Sequence, residues 1–150
     1  MKTKEVMTRD VAYLSPDASA KDAVELLQEK EISGLPVING NGKLVGMFTE
    51  KDVLVYILPS YIEKVGRFVY EENPKAIKRK FAQLEGVKVS QLMRREVVTV
   101  GEDVTLCEVA KMMLTQKVRR IPVVDKAGKV VGIVSRCDIL KGLIREGRGA

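Results

Sequence analysis

Apolar residues recur along this chain in two rhythms. At Ala20, Ala23, Val24 and Leu27 they fall three or four apart, the spacing that lines one face of a helix, and the same spacing returns at Leu106, Val109, Ala110 and Met113. The runs Leu35-Pro36-Val37-Ile38 and Ile121-Pro122-Val123-Val124 are short and unbroken and predict strands, with proline at the start where a missing donor is tolerated. Asn39-Gly40-Asn41-Gly42 and Asp125-Lys126-Ala127-Gly128 carry hairpin-turn chemistry, which makes Lys43–Thr49 and Lys129–Ser135 return strands. Short extended runs, Val11–Leu14 and Val97–Val100, precede the helices, and second helices begin at Glu50 and Arg136. Each first helix is expected to open on a capping box, Ser19-x-x-Asp22 or Thr105-x-x-Glu108, in which hydroxyl and carboxylate reciprocally satisfy free backbone N–H groups. The order is β-α-β-β-α, twice.

The duplication holds residue by residue and without a gap. Pro36 falls on Pro122, 86 residues later, and at the same offset Met7, Arg9, Val11 and Asp17 fall on Met93, Arg95, Val97 and Asp103. Val37, Gly42, Lys43, Val45, Gly46, Asp52 and Leu54 meet identical residues in the second copy. A match concentrated at Gly, Pro and apolar positions marks two copies of one structural unit. A helix of such a unit hides one face only, so two copies packed sheet to sheet would close the core. The expected boundaries are a first domain at 1–58, a helical insert at 59–88 and a second domain at 89–150. In the insert, Ser60–Glu72 and Lys75–Glu85 look helical, separated by Asn73-Pro74 and stopped at Gly86. Its block Lys75-x-x-Lys78-Arg79-Lys80 reads as a solvated helix face, while Phe68, Tyr70, Phe81 and Leu84 predict that the insert packs on something.

Composition narrows the chemistry. The 150 residues are 45% hydrophobic with no Trp, so the core is aliphatic, and they hold no His and two Cys. Without His the commonest general base and the Ser/His and Cys/His nucleophile classes are gone. Cys107 and Cys137 lie too far apart in sequence for a metal knuckle, and neither a phosphate-binding Walker loop nor a dinucleotide fingerprint is present. No catalytic residue and no metal ligand is expected. Cys137 reads as a small core residue in preference to a redox thiol. The formal charge is +6, which suits a solvated basic surface, nucleic acid, an anionic membrane or a phosphorylated small molecule. The N-terminus has no apolar signal region, and the longest apolar run, Val53–Leu58, is far short of the ~20 residues that span a bilayer. A cytoplasmic location is expected.

One motif carries more than packing. Gly34-Leu35-Pro36-Val37-Ile38, then Gly42-Lys43-x-Val45-Gly46-x-x-Thr49-x-x-Asp52, resembles the signature of the CBS domain. It recurs as Arg120-Ile121-Pro122-Val123-Val124, then Gly128-Lys129-x-Val131-Gly132-x-x-Ser135-x-x-Asp138. Val6-Met7-Thr8 and Leu92-Met93-Arg94 match the family's usual approach to the first strand, and the resemblance covers residues 4–57 and 90–146. It implies an α/β fold of tandem CBS domains, two β-α-β-β-α units packed about a pseudo-two-fold axis. On spacing alone Thr49-x-x-Asp52 and Ser135-x-x-Asp138 are capping boxes. The resemblance adds a second role, with Asp accepting from ribose hydroxyls and the hydroxyl and helix N-terminus meeting phosphate.

By the same resemblance, Val97, Val98 and Val118 would contact adenine beside Asp52 and Thr49, and Val11, Ala12, Ile32 and Ser33 would do so beside Asp138 and Ser135. Arg119 and Arg120, ahead of Pro122, match positions that reach phosphates, where the first copy has Ser33 and Gly34 ahead of Pro36. Lys51 lies between hydroxyl and carboxylate in copy one and Cys137 in copy two. The first pocket therefore suits ATP or ADP, and the second AMP or S-adenosylmethionine. The resulting expectation is a non-enzymatic regulatory module that senses an adenosyl small molecule without a required cofactor. It would pair as a homodimer through its second helices and signal to an effector protein. A scaffold with vestigial pockets is one alternative. Nucleic-acid binding through Lys75–Lys80 and Arg94-Arg95 is another, although no stacking series or reader motif supports it.

Overall fold

The computed structural model describes residues 1–58 and 74–149. After a 3-10 turn at Thr3–Glu5 come α1 (Ala20–Lys30), β1 (Gly34–Ile38), β2 (Leu44–Thr49) and α2 (Glu50–Ile57). Then follow α3 (Pro74–Gln83), a 3-10 turn at Leu84–Gly86, and α4 (Val89–Leu92). The second copy supplies β3 (Val100–Gly101), α5 (Leu106–Gln116), β4 (Arg120–Val124), β5 (Val130–Ser135) and α6 (Arg136–Gly149). The result is a mixed α/β protein with two small sheets, ordered β1-β2 and β3-β4-β5. The expected helix over Ser60–Glu72, with Phe68 and Tyr70, lies outside the described residues.

The chain forms two compact units that interleave the repeats. The first unit gathers Met1–Ala12, Gly40–Leu44 and Glu96–Ala150, and the second gathers Tyr13–Asn39 and Val45–Arg95. Each repeat body is thus completed by the leading segment of the other copy.

In the first unit Thr8 N–H donates to Ile133 O at 2.8 Å, Ile133 N–H returns to Thr8 O at 2.9 Å, and Thr3 N–H donates to Val104 O at 2.8 Å. Met7 lies against Gly132, where an added Cβ would sit 2.7 Å from its sulfur. Lys2 and Lys4 face Asp103 at 3.7 and 3.2 Å. A hydrogen bond from Lys4, then the charges of Lys4 and Lys2, hold the Asp103 carboxyl below its usual range. These ion pairs are exposed and screened, so they steer the segment more than they stabilise it. The core of this unit is Met7, Val100, Val109, Met113, Ile121, Val123, Val134 and Ile139. In its sheet β4 pairs antiparallel with β5, Arg120 facing Ser135 and Pro122 facing Ile133, and β3 lies parallel to β4.

The second unit repeats this arrangement with the copies exchanged. Met47 and Arg94 share reciprocal backbone bonds of 2.9 and 2.8 Å. A Cβ on Gly46 would lie 2.7 Å from Met93 Sδ, and Lys88 faces Asp17 at 3.6 Å. Leu14, Ala20, Ala23, Leu27, Leu35, Val37, Phe48, Val53, Leu84 and Val89 are buried here.

Several local expectations are corrected. The extended runs shrink to a parallel bridge, Leu14 to Val37, and the two-residue β3. Pro36 stands third in β1, not first, and its carbonyl accepts from Leu14 N–H at 2.9 Å. In an extended strand a residue's nitrogen points to the same side as its carbonyl. Proline's missing donor therefore faces a side on which pairing begins only at Leu14, so no ladder bond is lost. At α1 and α5 only half of the capping box forms: the hydroxyls of Ser19 and Thr105 accept from Asp22 and Glu108 N–H. Both helices end on a non-glycine residue in the left-handed region, Glu31 at φ 54° and Lys117 at φ 56°. Their first turns after the cap match too, Ile32 N–H reaching Leu27 O and Val118 N–H reaching Met113 O, both at 3.1 Å.

Candidate functional site

The motif residues lie where a return strand becomes a helix. Thr49 closes β2 in extended conformation and caps α2. Asp52 Oδ2 accepts from Thr49 N–H at 2.8 Å and from Thr49 Oγ1 at 3.0 Å, while Asp52 N–H donates to Thr49 Oγ1 at 3.4 Å. In the other unit Asp138 Oδ2 accepts from Ser135 N–H at 2.9 Å, and Asp138 N–H donates to Ser135 Oγ at 3.2 Å. The reciprocal boxes thus form here and not at α1 or α5. Both carboxylates use Oδ2 for the cap, so Oδ1 remains an acceptor for something else. Asp52 and Asp138 are half-buried, as are Thr49 and Ser135.

The residue ahead of each prolyl strand is tied to the same turn. Glu50 N–H donates to Ser33 O at 2.9 Å, and Arg136 N–H donates to Arg119 O at 3.2 Å. The next position differs between copies for a steric reason. A Cβ on Gly34 would lie 2.9 Å from the Thr49 methyl, so glycine and threonine fit together. In the other unit Ser135 has no methyl group, and its cross-strand partner is Arg120. Arg119 and Arg120 therefore flank Ser135 and Asp138 on their own unit.

In the second unit a cavity of about 380 Å³ is lined by Lys51, Asp52, Val55, Tyr56, Lys80, Gln91 and Leu92. Its size falls in the ~300–1,000 Å³ range of small-molecule sites. Asp52 and Tyr56 lie one helical turn apart on α2, as do Lys51 and Val55, so all four share a face. Lys80 arrives from α3 with Nζ 4.7 Å above the Tyr56 ring centre, and Tyr56 O–H donates to Gln83 Oε1 at 3.5 Å. Lys80, Tyr56, Gln91 and Leu92 were not among the expected site residues. Lys75, Lys78 and Arg79 are exposed as expected of a solvated face, but Lys80 is half-buried.

The remaining expected residues divide between the units. The first holds Val11, Ala12, Val97, Val98, Val118 and Pro122; the second holds Ile32, Ser33 and Pro36. Val98 and Val118 pack against the first unit's core, and Pro36 and Pro122 are buried. Val97, Val98 and Val118 thus belong to a different unit from Asp52, whereas Val11 and Ala12 share a unit with Asp138. The expectation that Cys137 is a core residue is overturned: it is exposed, as is Cys107. Its repeat counterpart, Lys51, is exposed as well, because the second position of these helices faces outward. Among the described residues no group of three or more His, Cys, Asp or Glu could hold a metal ion.

The CBS domain family model matches residues 4–59 and 89–145. The chain belongs to the CBS domain family. An uncharacterized protein of Methanocaldococcus jannaschii is 32% identical over 96% of this chain and 92% of its own length. The chain spans only 22 to 24% of the inosine-5'-monophosphate dehydrogenases that it also matches. Among solved structures, CBSX2, a CBS-pair protein of Arabidopsis thaliana, in complex with AMP has a TM-score of 0.74 and 28% identity, covering 97% of this chain and 98% of that one. The CBS domain pair of protein MJ0100, in complex with 5'-methylthioadenosine and S-adenosyl-L-methionine, has a TM-score of 0.68 and 25% identity, with 97% and 98% covered. The CBS pair described here therefore has the tandem fold of ligand-bound relatives.

Its turns offer matched chemistry. A carboxylate oxygen can accept a hydroxyl proton, and the adjoining helix N-terminus presents backbone N–H groups and the positive end of a dipole. Basic side chains stand close by: Lys51 and Lys80 in one unit, Arg119 and Arg120 in the other.

Proposed function

We propose that this CBS pair is a non-enzymatic regulatory module that senses an adenosine-containing ligand, AMP, ADP, ATP or S-adenosylmethionine, and signals by conformational change. The observation that carries this reading is the duplicated turn. Asp52 and Asp138 each spend Oδ2 on a helix cap and keep Oδ1 to accept from a sugar hydroxyl. Asp52 also lines a cavity of about 380 Å³. The AMP complex of CBSX2 and the S-adenosyl-L-methionine complex of protein MJ0100 support the ligand class.

The Asp52 cavity, with Lys51 beside it, suits a multiply charged nucleotide, and the Asp138 turn suits AMP or S-adenosylmethionine. At the Asp138 turn adenine would contact Val11 and Ala12, with Arg119 and Arg120 reaching phosphate. A homodimer through the second helices and an effector protein would complete the signal. A cytoplasmic setting is consistent with two exposed, unpaired cysteines.

Isothermal titration of the full chain with ATP, AMP and S-adenosylmethionine tests this reading. Removing a charge-assisted hydrogen-bond partner costs about 1.5–3 kcal/mol, or roughly 10- to 150-fold in Kd. Asp52→Ala should weaken ATP by that factor and spare S-adenosylmethionine, with Asp138→Ala doing the reverse. Equal losses for every ligand would refute the assignment of ligands to sites. Undiminished binding in the double variant would refute the role of the carboxylates.

A further inference from the structure

We propose that Lys80, on the inserted helix α3 and outside both CBS repeats, anchors phosphate in the Asp52 cavity and makes that cavity selective for an adenosine polyphosphate over the monophosphate. The proposal rests on the adenosine reading above and adds to it a residue and a specificity. Lys80 lines the same cavity as Asp52 and Lys51 but enters from a different element. Its ammonium is steered by the Tyr56 ring, 4.7 Å from the ring centre. An aromatic face attracts a cation without neutralising it, so the charge stays available. Tyr56 in turn is held by Gln83, one turn further along α3.

Charge decides what such a cavity takes. Among the described residues no carboxylate forms an ion pair with Lys51 or Lys80. Among the described residues Asp52 is the sole acidic side chain lining the cavity, so there two ammonium groups stand against one carboxylate. With Asp52 engaged by the ribose, both cations are left for the phosphate end. A single phosphate can neutralise one of them well; a di- or triphosphate offers separate oxygens to both. Lys80 is also half-buried, unlike Lys75, Lys78 and Arg79 in the same basic block. A partly desolvated ammonium gains more from an anion than one already in water.

The test is titration of the full chain with ATP and with AMP, using Lys80→Gln, Lys80→Arg and Asp52→Ala beside the parent. Lys80→Gln is expected to weaken ATP about tenfold, the scale of one charge-assisted bond, and AMP less than about threefold. Lys80→Arg should keep ATP within about threefold, because it keeps the charge and the stacking on Tyr56. Every titration is made in an Asp138→Ala background, which removes the AMP-preferring turn, and there Asp52→Ala should weaken both ligands. If Lys80→Gln changes ATP and AMP alike, or changes neither, while Asp52→Ala still weakens both, the Lys80 role is overturned and the adenosine reading stands. Loss of ATP binding in Lys80→Arg as severe as in Lys80→Gln would point to packing and also overturn it. If the parent binds neither nucleotide, the adenosine reading fails and this proposal goes with it.

Discussion

Gly46 and Gly132 show how one missing side chain fixes a tertiary contact. Each leaves room for a methionine, Met93 or Met7, from the leading segment of the other copy. At Gly46 a Cβ would also meet the Arg94 carbonyl oxygen at 2.8 Å, a backbone atom that cannot step aside. Gly46→Ala is therefore expected to destabilise by about 1–3 kcal/mol, the range for forced overpacking, as read by urea denaturation. Met93→Ala should relieve the sulfur clash but not the carbonyl clash, so the double variant should recover only part of the loss. Full recovery would show that the backbone contact is unimportant. The two carboxylates were legible at this scale because a motif carried them. Lys80 was not, since its place in a basic block says nothing about which lysine folds back onto Tyr56. Cys137 misled because a small polarizable side chain suits a core, whereas its position on α6 leaves it exposed.

Helices were legible wherever apolar residues recurred at helical spacing, and α1, α2, α5 and α6 begin directly after Ser19, Thr49, Thr105 and Ser135 as those patterns predict. Strands held less well, because β3 and the Leu14 bridge depend on what they pair with and not on their own sequence. The second helices carry an unspent apolar face. Leu54 is 55% exposed on α2, and Leu140 and Ile144 are 61% and 53% exposed on α6. Such a face is suited to association, in line with the proposed homodimer. Sedimentation velocity should find the parent dimeric and the double variant Leu54→Glu, Leu140→Glu monomeric, with unchanged circular dichroism. A parent that stays monomeric at tens of micromolar would remove these helices from the interface.

Across the whole chain the repeats and the compact units do not coincide. Residues 1–12 complete the body of the second repeat, and residues through Arg95 complete the body of the first. Folding either body thus needs a segment brought in from the other copy, including the backbone pairs Thr8–Ile133 and Met47–Arg94. A fragment of residues 13–95 keeps every segment of the second unit, whereas a fragment of residues 1–58 loses Leu84, Val89 and Met93 from its core. Hydrogen exchange should find strong amide protection in β2 in the longer fragment and little in the shorter one. Equal protection would mean that the exchanged segments contribute nothing to stability.

Sequence alone determined what depends on neighbours along the chain: the duplicated α-β-β-α order, the helix faces, the hairpin glycines and the two hydroxyl-carboxylate turns. These follow from periodicity and local hydrogen bonding, which need no distant partner. Tertiary structure alone decided which leading segment completes which body, and which basic side chain reaches the Asp52 cavity. Those choices turn on contacts between residues far apart in the chain, and a pattern of polar and apolar positions does not specify which distant surface will be met.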